Sequence, residues 1–422
     1  MYHAKTVEKR LAGFTESLRP VLGRGFEWRD TPVAEVKQWV KRLEGAWDAE
    51  IGLKRPLTAE EERWILHEIH RCKADFAYWA TRYAYIKTKG QELVLFRFLE
   101  SQELILTKVG RAELASLEGR SGDGVLLQIL KARQLGASTL TEAMIAHRVI
   151  FYSHTTALVA GDVDEQSTYL FEMILRIYDN LPWWMKPEET FRVKGRQLAF
   201  GKTDSQILVE SGKKARGGDS KEKGGVDKGS IGTGKTYPLV HLSELALWPN
   251  AGQLDDALEP AIPRHARTLA VYESTAKGRQ NWWHEKWLAS REGYGRFTPI
   301  FIPWYAENVS YTKPAPEDWN PSETTMAHAK KAEDVGRRWL EKDVKLNRDQ
   351  LYWWETTRAD YIRRKKLYKF LAEYAADDLE AFQHSGKSVF GAEMLNELRQ
   401  RTETPAAVID IVSGADYAQR GI

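Results

Sequence analysis

A chain of 422 residues carries a formal net charge of +3 and a single cysteine, Cys72. That length gives room for two to three domains with sizeable cores, and so small a charge excludes a histone-like basic protein, leaving local patches to make any nucleic-acid contact. One cysteine excludes a disulfide framework and any multi-cysteine metal site, which suits a reducing cytosol, and no apolar run reaches membrane-spanning length, so no membrane association is expected.

Residues 1–90 read as helical. Val33–Leu43 and Glu60–Tyr85 carry apolar residues at 3.6-type spacing, and Thr58 with Glu61 predicts a capping box at a helix start. Over 91–305 the pattern alternates. Apolar runs Val125–Leu130, Thr156–Ala160, Gln206–Val209, Leu239–Leu242, Leu269–Tyr272 and Pro299–Pro303 read as strands, with helical stretches such as Glu165–Tyr178 between the early ones. Such alternation predicts an α/β domain around a mainly parallel sheet. Residues 306–404 hold a Pro/Asn/Ser connector and a charged helical block, Ala327–Tyr374, in which Leu346–Trp354 looks like a capped helix. In 405–422 the run Ala407–Asp416 reads as a strand leading to a carboxylate. The 16 tryptophans, often paired as in Trp353-Trp354, are read as fillers of cores and seams.

Val125–Thr139 is the most informative stretch. A buried-type strand feeds a short loop that opens a helix, the context in which backbone N–H groups and a helix N-terminus hold phosphates. The letters differ from the usual ones. Gly136-Ala137-Ser138 stands where Gly-Lys-Ser/Thr is common, so Lys131 and Arg133 must supply the cations. The amides of Leu135–Thr139, with Gln134 in the same loop, would wrap the β- and γ-phosphates of ATP, and the Ser138 hydroxyl would reach Mg²⁺. Arg133, fixed in charge, suits charge developing on the γ-phosphate. Further on, Leu239–Trp248 is an apolar strand ending at Glu244, placed to polarise the attacking water. Ser243 precedes it where an aspartate usually stands. Gln102 has the paired donor and acceptor that would read adenine. After the strand at 269–272, the small residues Ser274, Thr275 and Ala276 are expected to couple the γ-phosphate's loss to movement.

Gly229–Thr236 fits the Gly-x4-Gly-Lys-Thr pattern yet lacks its context. It follows a polar Lys/Gly stretch, and Tyr237-Pro238 blocks the helix that should follow. It is read as a glycine-rich loop. Lys213, Lys214 and Arg216 just upstream are the best candidates for DNA contact.

Taken in order, these pieces resemble the large terminase subunit of tailed bacteriophages, the ATP-driven motor that packages DNA into procapsids. The matching residues are Gln102; Lys131–Thr139; His241-Leu-Ser-Glu244; Ser274–Gly278; and Glu373-Tyr374 with Ala381, Phe382 and Phe390. The resemblance implies a P-loop NTPase of the additional-strand Glu class, with an N-terminal helical extension and a C-terminal helical lid. It further implies an RNase H-like nuclease using Mg²⁺ or Mn²⁺, whose first metal-ligand position matches Asp416. With the chain stopping at Ile422, the motor half is expected, and cutting is left to a longer parent protein. Implied partners are double-stranded viral DNA, the portal protein of the procapsid and a small terminase subunit. A homo-oligomeric ring, a pentamer, is implied during packaging, in the cytoplasm of an infected bacterium. Ala137 and Ser243 depart from most phosphate-loop motors in lacking charge. Two other classes stay open: an ATP-binding assembly scaffold with weak hydrolysis, and a helicase-type translocase outside packaging.

Overall fold

The computed structural model describes residues 4–22, 27–212, 235–307 and 310–382. Lys213, Lys214, Arg216, most of Gly229–Thr236 and Asp416 therefore lie outside the described residues. The N-terminal region holds α1 (Ala4–Leu22), α2 (Val33–Glu44), a hairpin of β1 (Trp47–Asp48) and β2 (Gly52–Leu53), α3 (Ala59–Ala74), α4 (Phe76–Tyr83), and a second hairpin of β3 (Tyr85–Lys87) and β4 (Leu93–Leu95). The capping box forms as expected: Glu61 N–H donates to Thr58 Oγ1 at 3.2 Å, and Thr58 N–H to Glu61 Oε2 at 2.9 Å, an arrangement worth about 1 kcal/mol. The expected single helix over Glu60–Tyr85 is broken at Asp75. Its backbone is extended (φ −126°, ψ 98°), and its carboxylate accepts the Tyr78 N–H at 3.0 Å to start α4. Aspartate competes poorly for a helix interior and well for a cap.

The central region runs α5 (Glu100–Leu117), β5 (Val125–Lys131), α6 (Ala137–Phe151), β6 (Thr156–Gly161), α7 (Asp164–Asp179), β7 (Glu189–Val193), β8 (Gln197–Phe200), β9 (Ser205–Ser211), β10 (Leu239–Ser243), α8 (Ala251–Leu258), β11 (Leu269–Ser274), α9 (Trp282–Arg291) and β12 (Thr298–Ile302). These strands form one sheet of eight in the order β12-β5-β11-β10-β6-β9-β8-β7. Pairings from β12 through β9 are parallel, and β8 and β7 add an antiparallel edge. Each strand expected from an apolar run over 91–305 is present, while the one expected over Ala407–Asp416 lies outside the described residues. The hairpin β7–β8 was not expected, since β7 is exposed along its length and carries no apolar run. β5, β10 and β11 are buried throughout, at about 1.5–3 kcal/mol per large apolar side chain. β11 lies between β5 and β10, so an additional strand separates the phosphate-loop strand from the Glu244 strand.

C-terminal to the sheet come α10 (Glu323–Val335), a π-type turn at Gly336–Leu340, α11 (Arg348–Arg363), α12 (Leu367–Glu373) and α13 (Asp378–Ala381). The block expected over Ala327–Tyr374 is thus several short helices. Asn347 and Gln350 cap α11 reciprocally. Tryptophans do fill the seam here: the His328 ring stacks on Trp354 with centroids 3.9 Å apart, and Trp304 is fully buried beside it. Among the described residues, no helix is long and apolar enough to cross a membrane.

Candidate nucleotide-binding site

Between the end of β5 and the start of α6, the chain turns through Ala132–Gly136. Gln134 (φ 56°) and Gly136 (φ 74°) both take left-handed backbone. Glycine suits 136 because its backbone is left-handed, and a Cβ there would displace the Gln102 amide, whose Nε2 would lie 2.6 Å away. As the residue preceding α6, Gly136 brings no capping side chain, so the first-turn N–H groups are left for an anion. The loop backbone is gripped from several sides. Ser101 Oγ lies 2.8 Å from Leu135 O, Gln102 Nε2 donates to Gly136 O at 2.8 Å, and Ala132 N–H donates to Ile302 O at 2.8 Å. Arg133 N–H donates to Glu373 O at 2.9 Å, and the Tyr311 hydroxyl donates to Arg133 O. A cavity of about 1420 Å³ opens here, lined by Gln134–Thr139, Lys131, Gln102 and the β3–β4 hairpin.

Gln102 is placed differently from the adenine-reading expectation. Its Oε1 accepts the Leu99 N–H at 3.0 Å while its Nε2 holds Gly136 O. One donor and one acceptor site of the amide shape the loop, and the side chain is buried at the edge of the cavity. It is a positioning residue for Gly136.

The two cations of the loop part company. Lys131 is buried, and its Nζ lies 3.2 Å from Glu244 Oε1. Burial alone would lower its pKa, but Glu273 and Glu244 raise it, so the ammonium keeps its proton. Arg133 sits at the rim, its side chain 53% exposed, and pairs with Glu373 Oε1 at 3.1 Å. Glu244 follows β10 directly with left-handed backbone (φ 58°), an uncommon state for a non-glycine residue, of the kind that clusters at functional sites. Its Oε2 is 3.4 Å from the Ser274 hydroxyl, which also accepts the Ala246 N–H at 3.1 Å. Ser274 is buried, and Thr275 and Ala276 continue the turn. The expected coupling segment therefore touches the expected water-polarising carboxylate.

A further carboxylate, Glu273, was not singled out from the sequence. Parallel register sets Ser243 beside Glu273. Glu273 Oε1 accepts from Ser138 Oγ at 2.5 Å and from Ser243 Oγ at 3.1 Å, and His241 Nε2 lies 3.2 Å from it. On its other side His241 Nδ1 is 2.6 Å from Glu142 Oε1, one helical turn past Ser138 on α6. Burial would raise the Glu273 pKa, but Lys131, His241 and Ser138 outweigh it and hold the carboxyl far below its usual range. Burial would likewise strip the proton from His241, yet Glu142 and Glu273 push it up to about 9. The clue available in the sequence was an acidic residue inside an otherwise apolar strand, which only a functional or paired role makes tolerable.

Lys235 and Thr236, the described end of the decoy motif, are exposed and lead through Pro238 into β10. No helix starts there. The order is loop then strand, as the sequence context indicated.

A strand–loop–helix turn at the carboxyl ends of parallel strands, with a buried lysine and a carboxylate one strand beyond a spacer strand, defines a phosphate-loop nucleotide fold. No family model matches the chain, and no curated protein matches it. Among solved structures it is similar to the HK97 bacteriophage large terminase (TM-score 0.45, 13% identity, 72% of this chain and 55% of that one). It is also similar to the large terminase ATPase domain of Thermus phage P74-26 (TM-score 0.38, 16% identity, 67% and 99%), and to the large terminase of a thermophilic bacteriophage (TM-score 0.38, 12% identity, 52% and 48%). The chain spans about half the length of the HK97 protein, covering 55% of it.

Proposed function

We propose that this chain is the ATP-hydrolysing motor portion of a DNA-packaging terminase, moving double-stranded viral DNA into a procapsid. The observation that carries the ATPase reading is the Lys131–Glu244 ion pair at the exit of a strand–loop–helix turn. The N–H groups of Leu135–Thr139 and the uncapped start of α6 meet the β- and γ-phosphates. Lys131 exchanges Glu244 for phosphate oxygen, which leaves the Glu244 carboxylate to orient water and accept its proton. Water oxygen bonds to the γ-phosphorus as the bond to the bridging oxygen breaks, giving ADP and inorganic phosphate. Arg133 leaves Glu373 and stabilises the charge that develops on the transferred group. The Ser138 hydroxyl would hold Mg²⁺, which would supply charge neutralisation at the phosphates. Ser274 touches Glu244, so a change in that carboxylate's partners reaches the 274–276 turn and the end of β11.

The packaging role is supported by the order of motifs along the sequence, from Gln102 through Lys131–Thr139, Glu244 and Ser274 to Glu373. It brings with it a ring, a pentamer, seated on a portal protein, a small terminase subunit that selects DNA, and the cytoplasm of an infected bacterium. Lys213, Lys214 and Arg216 are assigned to DNA, and Asp416 to the first ligand of a Mg²⁺- or Mn²⁺-dependent nuclease. A general base held ready beside the loop favours turnover over the passive scaffold. Steady-state phosphate release with and without double-stranded DNA tests this reading. Stimulation by DNA is expected. Absence of turnover at saturating ATP and Mg²⁺ would return the scaffold, and turnover indifferent to DNA would remove the motor.

A further inference from the structure

The carboxylate missing at position 243 is restored one strand away. In the described structure the Ser138 hydroxyl, the group expected to reach Mg²⁺, is hydrogen-bonded to Glu273 Oε1 at 2.5 Å. Ser243, at the place where an aspartate is usual, donates to the same oxygen at 3.1 Å. Parallel pairing explains the substitution geometrically: Ser243 and Glu273 are register partners on β10 and β11. A glutamate one strand over, one methylene longer than aspartate, brings its carboxylate to the same hydroxyl. The other oxygen, Glu273 Oε2, is buried with no hydrogen-bond partner in the structure. A fully buried carboxylate oxygen left unsatisfied is costly. It fits a hard cation or its bound water, and a hydroxyl beside a carboxylate is the donor set Mg²⁺ takes when phosphates complete its shell.

We propose that Glu273 is the magnesium-side carboxylate of this site, with Ser243 and His241 as positioning residues that hold Oε1 and leave Oε2 for the metal or its water. His241 is itself pinned by Glu142, so the device spans α6, β10 and β11. The inference rests on the nucleotide reading above and adds to it the source of the charge that both Ala137 and Ser243 lack.

The test measures metal binding rather than turnover. ATPγS affinity is determined by calorimetry in EDTA and in Mg²⁺, and Mn²⁺ affinity of the ATPγS complex by electron paramagnetic resonance. For Glu273→Gln, ATPγS binding in EDTA should match the wild type, while Mn²⁺ affinity falls roughly 10- to 100-fold. Adding Ser243→Asp to Glu273→Gln returns one carboxylate to the cluster and should recover most of the loss. Unchanged Mn²⁺ affinity in Glu273→Gln overturns the assignment. Should that variant fail to fold, the double variant decides alone: metal affinity near the wild type supports the relocation, and loss of it overturns it. A wild-type chain that binds no ATPγS with or without metal sinks the nucleotide reading and this inference together. Normal ATPγS binding with unaltered metal dependence in Glu273→Gln sinks only the inference.

Discussion

Helix α6 buries a histidine contact at each end, and the two histidines differ in charge. At the loop end Ser138 and Glu142 face His241 and Glu273. His241 is fully buried, yet its carboxylate neighbours push its pKa up to about 9. Near the far end His147, equally buried, packs against Phe76, Trp79 and Phe151. Its Nε2 lies 2.9 Å from the Cys72 carbonyl oxygen, and the nearby Glu113 is taken by Arg148. Burial, with Arg10 and Arg148 close by, drives its pKa down to about 3, so the ring is neutral and donates to that carbonyl. Burial alone therefore does not set charge; the partner does. A cluster of buried charges is expensive to keep, and at the loop end of α6 the cost is offset by the mutual pairing of Glu142, His241 and Glu273.

That contrast predicts that changes near the loop strike turnover and changes at the far end strike stability. The largest effect is expected from Arg133→Ala, with kcat lowered by roughly 10³-fold or more if the guanidinium reaches the γ-phosphate. A variant with near-normal kcat would leave Arg133 as a rim contact to Glu373 and Lys131 as the working cation. Next comes Glu244→Gln, which should bind ATP normally and turn over about 10²- to 10⁴-fold more slowly; wild-type kcat at saturating ATP and Mg²⁺ would remove the base from the mechanism.

A smaller effect belongs to His147. Its folded pKa lies below that of the unfolded chain, so its contribution is complete above about pH 6.5 and lost as pH falls toward 3. Between pH 8 and pH 5 this one group should withdraw about 2 kcal/mol of stability. Urea unfolding of His147→Gln should show a shallower acid dependence than the wild type, and equal slopes would contradict the neutral assignment. The smallest effect is expected at the decoy: Lys235→Ala should leave kcat and KM within roughly twofold, and loss of ATP binding there would overturn the choice of loop.

The strands of the central sheet were legible because β5, β10 and β11 are buried on both faces and so read as apolar runs. The turn from β5 into α6 was legible because strand, loop and helix follow one another in sequence. Glu273 was not. Its role depends on β11 lying in register beside β10, and no local pattern encodes which strand neighbours which. The hold of Gln102 on Gly136 was hidden for a related reason: a glutamine amide facing a base and one facing a backbone carbonyl look the same in sequence. The break at Asp75 was missed because the apolar spacing continues across it, while the cap acts through a single carboxylate.

The loop that begins the site is finished by residues far along the chain. Arg133 is held at its amide by Glu373 and at its carbonyl by Tyr311, and Ala132 by Ile302. Contacts of such sequence separation form late and slowly, because long loops must close before anything rewards them. A nascent chain that has emerged only as far as β11 would have made the apolar β5 and α6 but not the sutures that set the turn between them. Competence to hold a ligand at this turn should therefore wait until the chain has been made through Glu373, although β5 and α6 are complete more than two hundred residues earlier.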